Sequence, residues 1–190
     1  MKNRMLTFAA ISFLLTIFCL QACNQSAETK PETKEDLVSR GKYLVGLMGC
    51  NDCHTSKIMT PHGPMLDTAH LLAGYLTSEP VGPYDSTVLK SWVLFNFSTT
   101  ATVGPWGTTF SANLTSDESG IGSWSEAQFF KALREGKSKG LDGGRMIMPP
   151  MPWQSIGKAT DADLKAIFEY LKSTKPVRNV VPQPIHPGHA

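Results

Sequence analysis

The stretch MGCNDCHTS, residues 48–56, places Cys50, Cys53 and His54 within one short turn of chain. A disulfide switch, a zinc site and a covalently held haem all use two thiols at this spacing. Only the last has a specific use for an imidazole directly after the second thiol. The rest of the chain decides among them.

The sequence has 190 residues and four cysteines. Cys19 closes an apolar run, MLTFAAISFLLTIFCL (5–20), which follows the basic Lys2 and Arg4. A basic start, an apolar run and a small residue before a cut describe an export signal. LQAC (20–23) also resembles the lipobox of bacterial lipoproteins, in which the Cys is acylated and begins the mature chain. The other reading is an uncleaved anchor helix, for which the run is short, since a span wants about 20 residues. Either way the remainder is expected outside the cytoplasm, facing the periplasm or cell exterior and tethered to a membrane. Cys50 and Cys53 then stand alone. A four-thiolate zinc or iron–sulfur site lacks its second pair, and a disulfide framework lacks thiols. Removing residues 1–22 takes two of 18 basic residues and none of 16 acidic ones, leaving 16 against 16. That balance argues against nucleic acid, which asks for a basic patch.

Residues 23–36 are polar and charged and are expected to be a flexible tether. Leu37, Gly41, Leu44 and Met48 fall at helical spacing, which predicts a first helix over about 35–48. A second is predicted over about 124–135, with Ser123 and Glu126 at capping-box spacing and Ala127, Phe130 and Leu133 on one face. A third is predicted over about 161–173, with Thr160 as N-cap, acidic residues in the first turn and Leu164, Ile167, Phe168 and Leu171 as its apolar stripe. Between the first two helices lies a long segment, 55–122, rich in Gly, Pro, Thr and Ser. A loop of that length is unusual unless it wraps something. The tail 177–190 is Pro-rich and expected to be extended.

Cys-x-x-Cys-His is the attachment motif of c-type haem. Each thiol would add to one vinyl group, and His54 would ligate the iron from below through Nε2, with Nδ1–H free for a carbonyl such as that of Pro61 or Pro64. The sixth ligand separates carrier from enzyme. GGRMIMPPMPW (143–153) offers Met146, Met148 and Met151. Its prolines exclude helix interior, so it is expected as a stiff loop able to hold a thioether.

At this point the chain resembles the class I cytochrome c family. RGKYLVGLMGCNDCH is similar to that family's first helix entering the haem motif, and TDADLKAIFEYLKS to its last helix. More narrowly, ANLTSDESGIGSWSEAQFFKALREGKSKG, MPPMPW and the closing helix resemble the cytochrome subunits of membrane-bound alcohol and aldehyde dehydrogenases and related mono-haem bacterial lipoprotein cytochromes. The resemblance implies an all-α, cytochrome c-like fold over 37–176, with first and last helices crossing at Gly41. It implies one haem c on Cys50 and Cys53, His54 and Met151 as axial ligands with Met148 as second choice, and lipid on Cys23. It implies single-electron transfer in a respiratory or dehydrogenase-linked chain, with a dehydrogenase, a quinol-oxidising complex or a terminal oxidase as partner. The alternatives are a haem relay subunit of a dehydrogenase complex, or a haem enzyme with a displaceable sixth ligand. Those dehydrogenase subunits carry three haem motifs where this chain has one, and the insertion 55–122 is longer than in small soluble cytochromes. It is expected to be a lid, with Trp92, Trp106 and Trp153 packed inward, or else a docking face. Arg145 and Lys158 are candidates to offset propionate charge.

Overall fold

The computed structural model describes residues 31–187. The expected export signal, Cys23, the tether to residue 30 and the last three residues of the tail lie outside the described residues. Helix α1 spans Lys34–Leu47. Thr33 caps it reciprocally: its hydroxyl accepts from Asp36 N–H at 3.2 Å, and the Asp36 carboxylate accepts from Thr33 N–H at 3.0 Å. Such a box satisfies two amide donors that the first turn leaves open. At the other end Gly49 takes a left-handed φ of 67° and turns the chain directly into α2, Cys50–His54.

Helix α3 spans Glu126–Glu135 and α4 is the short turn Trp153–Ile156. The capping box of α3 is Ser125 with Gln128, two residues later than the predicted pair. Trp124 N–H is spent on Ile121 O at 2.9 Å in a preceding turn, so the helix starts after it. Helix α5, Asp161–Ser173, begins as expected: Thr160 Oγ1 accepts from Asp163 N–H at 3.1 Å. Its Leu164, Ile167, Phe168 and Leu171 join Val45 of α1, Phe129 and Leu133 of α3, Leu72 and Ile121 in one core. Phe129 and Phe168 rings lie 5.4 Å apart. Helices α1 and α5 meet at Gly41, where an added Cβ would sit 1.9 Å from Ala166 O. Arg40 Nε donates to Asp163 at 2.9 Å across the same pair.

The expectation of an all-α fold is overturned. The segment after the haem motif forms two antiparallel sheets, so the fold is mixed α/β. Strands β1 (Lys57–Thr60) and β2 (Gly63–Leu66) make a hairpin. Strands β3 (Leu94–Phe95), β4 (Ala101–Gly104) and β5 (Gly107–Phe110) make the second sheet, in that order. The strands are two to four residues long, and β4 is buried along its whole length. Neither condition leaves the alternation of apolar and polar residues by which a strand is recognised. In the patch 88–97, Val88, Leu89 and Leu94 are half-buried. Trp92 is 68 % exposed, and Val93, Phe95 and Phe97 are exposed as well.

Candidate functional site

Helix α2 presents the two thiols and the imidazole on a single turn. Cys50 and Cys53 are unpaired and half-buried. Burial pushes the Cys50 thiol up to about 11 and also raises Cys53, so both keep their protons at neutral pH. His54 is buried, and burial holds its ring below the ordinary histidine range despite the opposing pull of a carbonyl. That carbonyl belongs to Ala112, 2.7 Å from Nδ1. A carbonyl can only accept, so Nδ1 donates, and the neutral ring keeps its lone pair on Nε2. The acceptor is not Pro61 or Pro64, which sit in or beside the β1–β2 turn.

Two backbone runs, 72–75 and 111–114, frame His54. They pair antiparallel through Tyr75 N–H to Ser111 O at 3.0 Å and Leu114 N–H to Leu72 O at 2.8 Å. Gly74 N–H donates to His54 O at 2.8 Å. Gly74 has φ +77°, and a Cβ there would lie 2.4 Å from Ser111 O and 2.6 Å from Ala112 C. The site therefore needs a residue with no side chain against the Ala112 peptide. Thr55 Oγ1 completes the frame, accepting from Leu72 N–H and donating to Asn51 Oδ1, both at 2.8 Å.

The methionine loop follows α3 and is held on both sides. Ile147 N–H donates to Gly136 O at 2.7 Å and Ser138 N–H to Arg145 O at 2.9 Å. Thr109 Oγ1 of β5 donates to Pro149 O at 3.0 Å. Trp153 lies against Gly136, where a Cβ would come within 2.5 Å of the indole. Met151 packs on the same core that Cys50 borders. Met148 is half-buried and Met146 is exposed. Arg145 donates to Met146 O within its own loop at 2.9 Å, and Lys158 is exposed beyond α4. Trp106 Nε1 is buried without a partner among the described residues. Among those residues no three His, Cys, Asp or Glu side chains converge as a metal site.

Ala112, Gly74 and Thr109 escaped sequence reasoning. Ala112 acts through a backbone carbonyl, which every residue carries, and no side-chain signal marks it. Gly74 was findable in principle, since a glycine between buried residues invites the question of a close approach.

No protein-family model matches the chain. Over 79 residues it is 46 % identical to a subunit of the nicotinate dehydrogenase of Pseudomonas putida, covering 41 % of this chain and 6 % of that protein. Over 176 residues it is 30 % identical to the cytochrome c subunit of the quinone alcohol dehydrogenase of Gluconacetobacter polyoxogenes, covering 92 % of this chain and 30 % of that one. It is 28 % identical to the fructose dehydrogenase cytochrome subunit of Gluconobacter japonicus over 170 residues, 86 % of this chain and 28 % of the relative. The chain spans less than a third of the length of these relatives. It belongs to a cytochrome c family related to the cytochrome subunits of dehydrogenases. That membership implies haem c, and the residues present fit it: two unpaired thiols, an imidazole whose Nε2 is spared, and a thioether packed on the core that Cys50 also borders.

Proposed function

We propose that this chain is a mono-haem c-type cytochrome that carries single electrons rather than converting a substrate. Cys50 and Cys53 would hold the haem, each adding S–H across one of its vinyl groups. His54 ligates the iron through Nε2 and Met151 through its sulfur. Bound haem supplies a one-electron iron couple. The observation that carries this reading is the 2.7 Å contact from His54 Nδ1 to Ala112 O. It fixes the tautomer and leaves Nε2 as the free donor, on the helical turn that bears both thiols. Held by both His54 and Met151, the iron would be closed to small molecules and its potential raised.

The chain is exported, cut before Cys23, lipidated there and held outside the cytoplasm by the polar tether. Among the described residues no helix is long and apolar enough to cross a membrane. Two acyl chains or more on Cys23 suffice for a stable anchor. The electron donor is a dehydrogenase or a quinol-oxidising complex, and the acceptor is a terminal oxidase. Similarity to cytochrome subunits over most of the chain favours a second arrangement, in which the haem is a relay inside a dehydrogenase complex. Co-purification after detergent release, with the haem reduced by that enzyme's substrate, separates relay from free carrier.

The decisive measurement is a pyridine haemochrome spectrum combined with the intact mass of protein extracted from membranes. One haem c per chain, and a mass that fits lipid on a chain beginning at Cys23, are expected. A colourless protein from a strain that matures c-type cytochromes overturns the function; a mass without lipid overturns only the anchor.

A further inference from the structure

The Ala112 carbonyl is secured by the far end of the chain. After α5, residues 174–185 run back across the frame around His54. Ser116 meets Thr174 first, through its N–H to Thr174 Oγ1 at 3.2 Å and its Oγ to Thr174 O at 2.6 Å. Asn113, the residue after Ala112, is 4 % exposed. Its Nδ2 donates to Val177 O at 2.8 Å, while its Oδ1 accepts from Thr115 N–H and Oγ1 at 2.9 and 2.7 Å. Asn179 is the complementary grip. Its Nδ2 donates to Ala73 O at 2.7 Å and Tyr75 O at 2.9 Å, and its N–H donates to Ser119 Oγ at 2.9 Å. Ala73 and Tyr75 flank Gly74, the residue that both abuts the Ala112 peptide and donates to His54 O. One asparagine thus holds the run that carries the acceptor, and the other holds the run that braces it.

We propose that Asn113 and Asn179 are positioning residues for His54: through them the C-terminal tail locks the Ala112 carbonyl onto Nδ1 and so sets the imidazole's strength as an iron ligand. This rests on the haem reading above. A firm Nδ1–H to carbonyl bond raises the basicity of the ring and favours ferric iron. Releasing the asparagine grip on these two runs frees the Nδ1 proton and raises the reduction potential.

The three variants that test this touch the tail at two places. Asn179→Asp replaces a donor by an acceptor facing two carbonyls; Asn179→Ala removes the donor without adding charge and serves if the first does not fold. A chain ending at Gln183 keeps Asn179 but loses Ile185, which exchanges hydrogen bonds with Thr108 at 2.8 and 2.9 Å. In the ferrous, 15N-labelled protein, either Asn179 variant should exchange the His54 Nδ1 proton roughly tenfold faster, the equivalent of one hydrogen bond. Its midpoint potential should rise as well. The shortened chain should match the wild type in both readouts, even where it melts earlier. Wild-type exchange and potential in an Asn179 variant overturn the proposal, and so does an equal shift in the shortened chain, which would mean mere loosening. A wild type without haem bands shows in the visible spectrum first; it removes the proposed function, and this inference with it.

Discussion

At the scale of single residues, the three methionines of the loop differ in how they meet the core that borders the Cys-x-x-Cys-His turn. Met151 shares a core with Cys50, whereas Met146 is exposed. Met151→Ala should abolish the weak iron–thioether charge-transfer band of the ferric protein and let the ferrous protein bind carbon monoxide, which the wild type should resist. Met148→Ala should retain the band, and the opposite pattern would transfer the role to Met148. Gly74 gives a second test. Its φ of +77° and the 2.4 Å approach to Ser111 O leave no space for a methyl group. Gly74→Ala should lower stability by on the order of 2 kcal/mol in denaturant unfolding. A change within about 0.5 kcal/mol, the range of an ordinary surface substitution, would mean the frame is pliable there. The contrast between these residues explains what could be read in advance. Cys50, Cys53 and His54 announce themselves because their chemistry is local. Ala112 lies 58 positions from His54 and contributes a carbonyl. Only folding brings it to the ring.

At the scale of elements, helices carry a period that survives in the sequence, and short strands do not. The stripe Leu164, Ile167, Phe168 and Leu171 and the cap at Thr160 mark α5 from end to end. The hairpin of β4 and β5 stays hidden because Ala101–Gly104 is covered on both faces and its turn, Pro105–Trp106, is only two residues long. Trp92 follows a short 3-10 turn, stands outside every helix and strand, and is exposed. Two outcomes belong at this scale. Gly41→Val forces a side chain into a gap where even a Cβ lies 1.9 Å from Ala166 O. It should separate α1 from α5 and cost about 3 kcal/mol or more, the upper range for overpacking. A denaturation midpoint within error of the wild type would mean that the helices can slide apart freely. Thr160→Ala removes the α5 cap and should cost about 1 kcal/mol, read from the same unfolding curve.

At the scale of the whole molecule, the carboxylates act together. Asp36, Asp67, Asp85, Asp117, Asp142 and Asp163 are all held below the usual carboxylate range, chiefly by hydrogen bonds from Thr33, His70, Thr87, Ser119, Lys131 and Thr160 in turn. Each sits in a helix's first turn, before a short 3-10 turn or in a loop, so together they pin α1, α5 and the irregular chain between them. The unfolded chain binds protons at these sites near pH 3.9, and the folded chain only at lower pH. The stabilisation is therefore complete above about pH 5 and is lost as pH falls through the depressed native values. Because the groups are solvent-exposed, each contributes little, and salt screens it further. The decline should accordingly be gradual, spread over every element rather than concentrated in one ion pair. Urea midpoints measured from about pH 6 down to about pH 3 should fall smoothly with an unchanged slope m. Asp36→Asn together with Asp163→Asn should lower the plateau at pH 6 and flatten the descent below it. A wild-type midpoint that stays level across that range would show that these bonds add nothing in the folded state beyond what the unfolded chain already has. A double variant that declines as steeply as the wild type would place the acid sensitivity elsewhere, outside the helix caps.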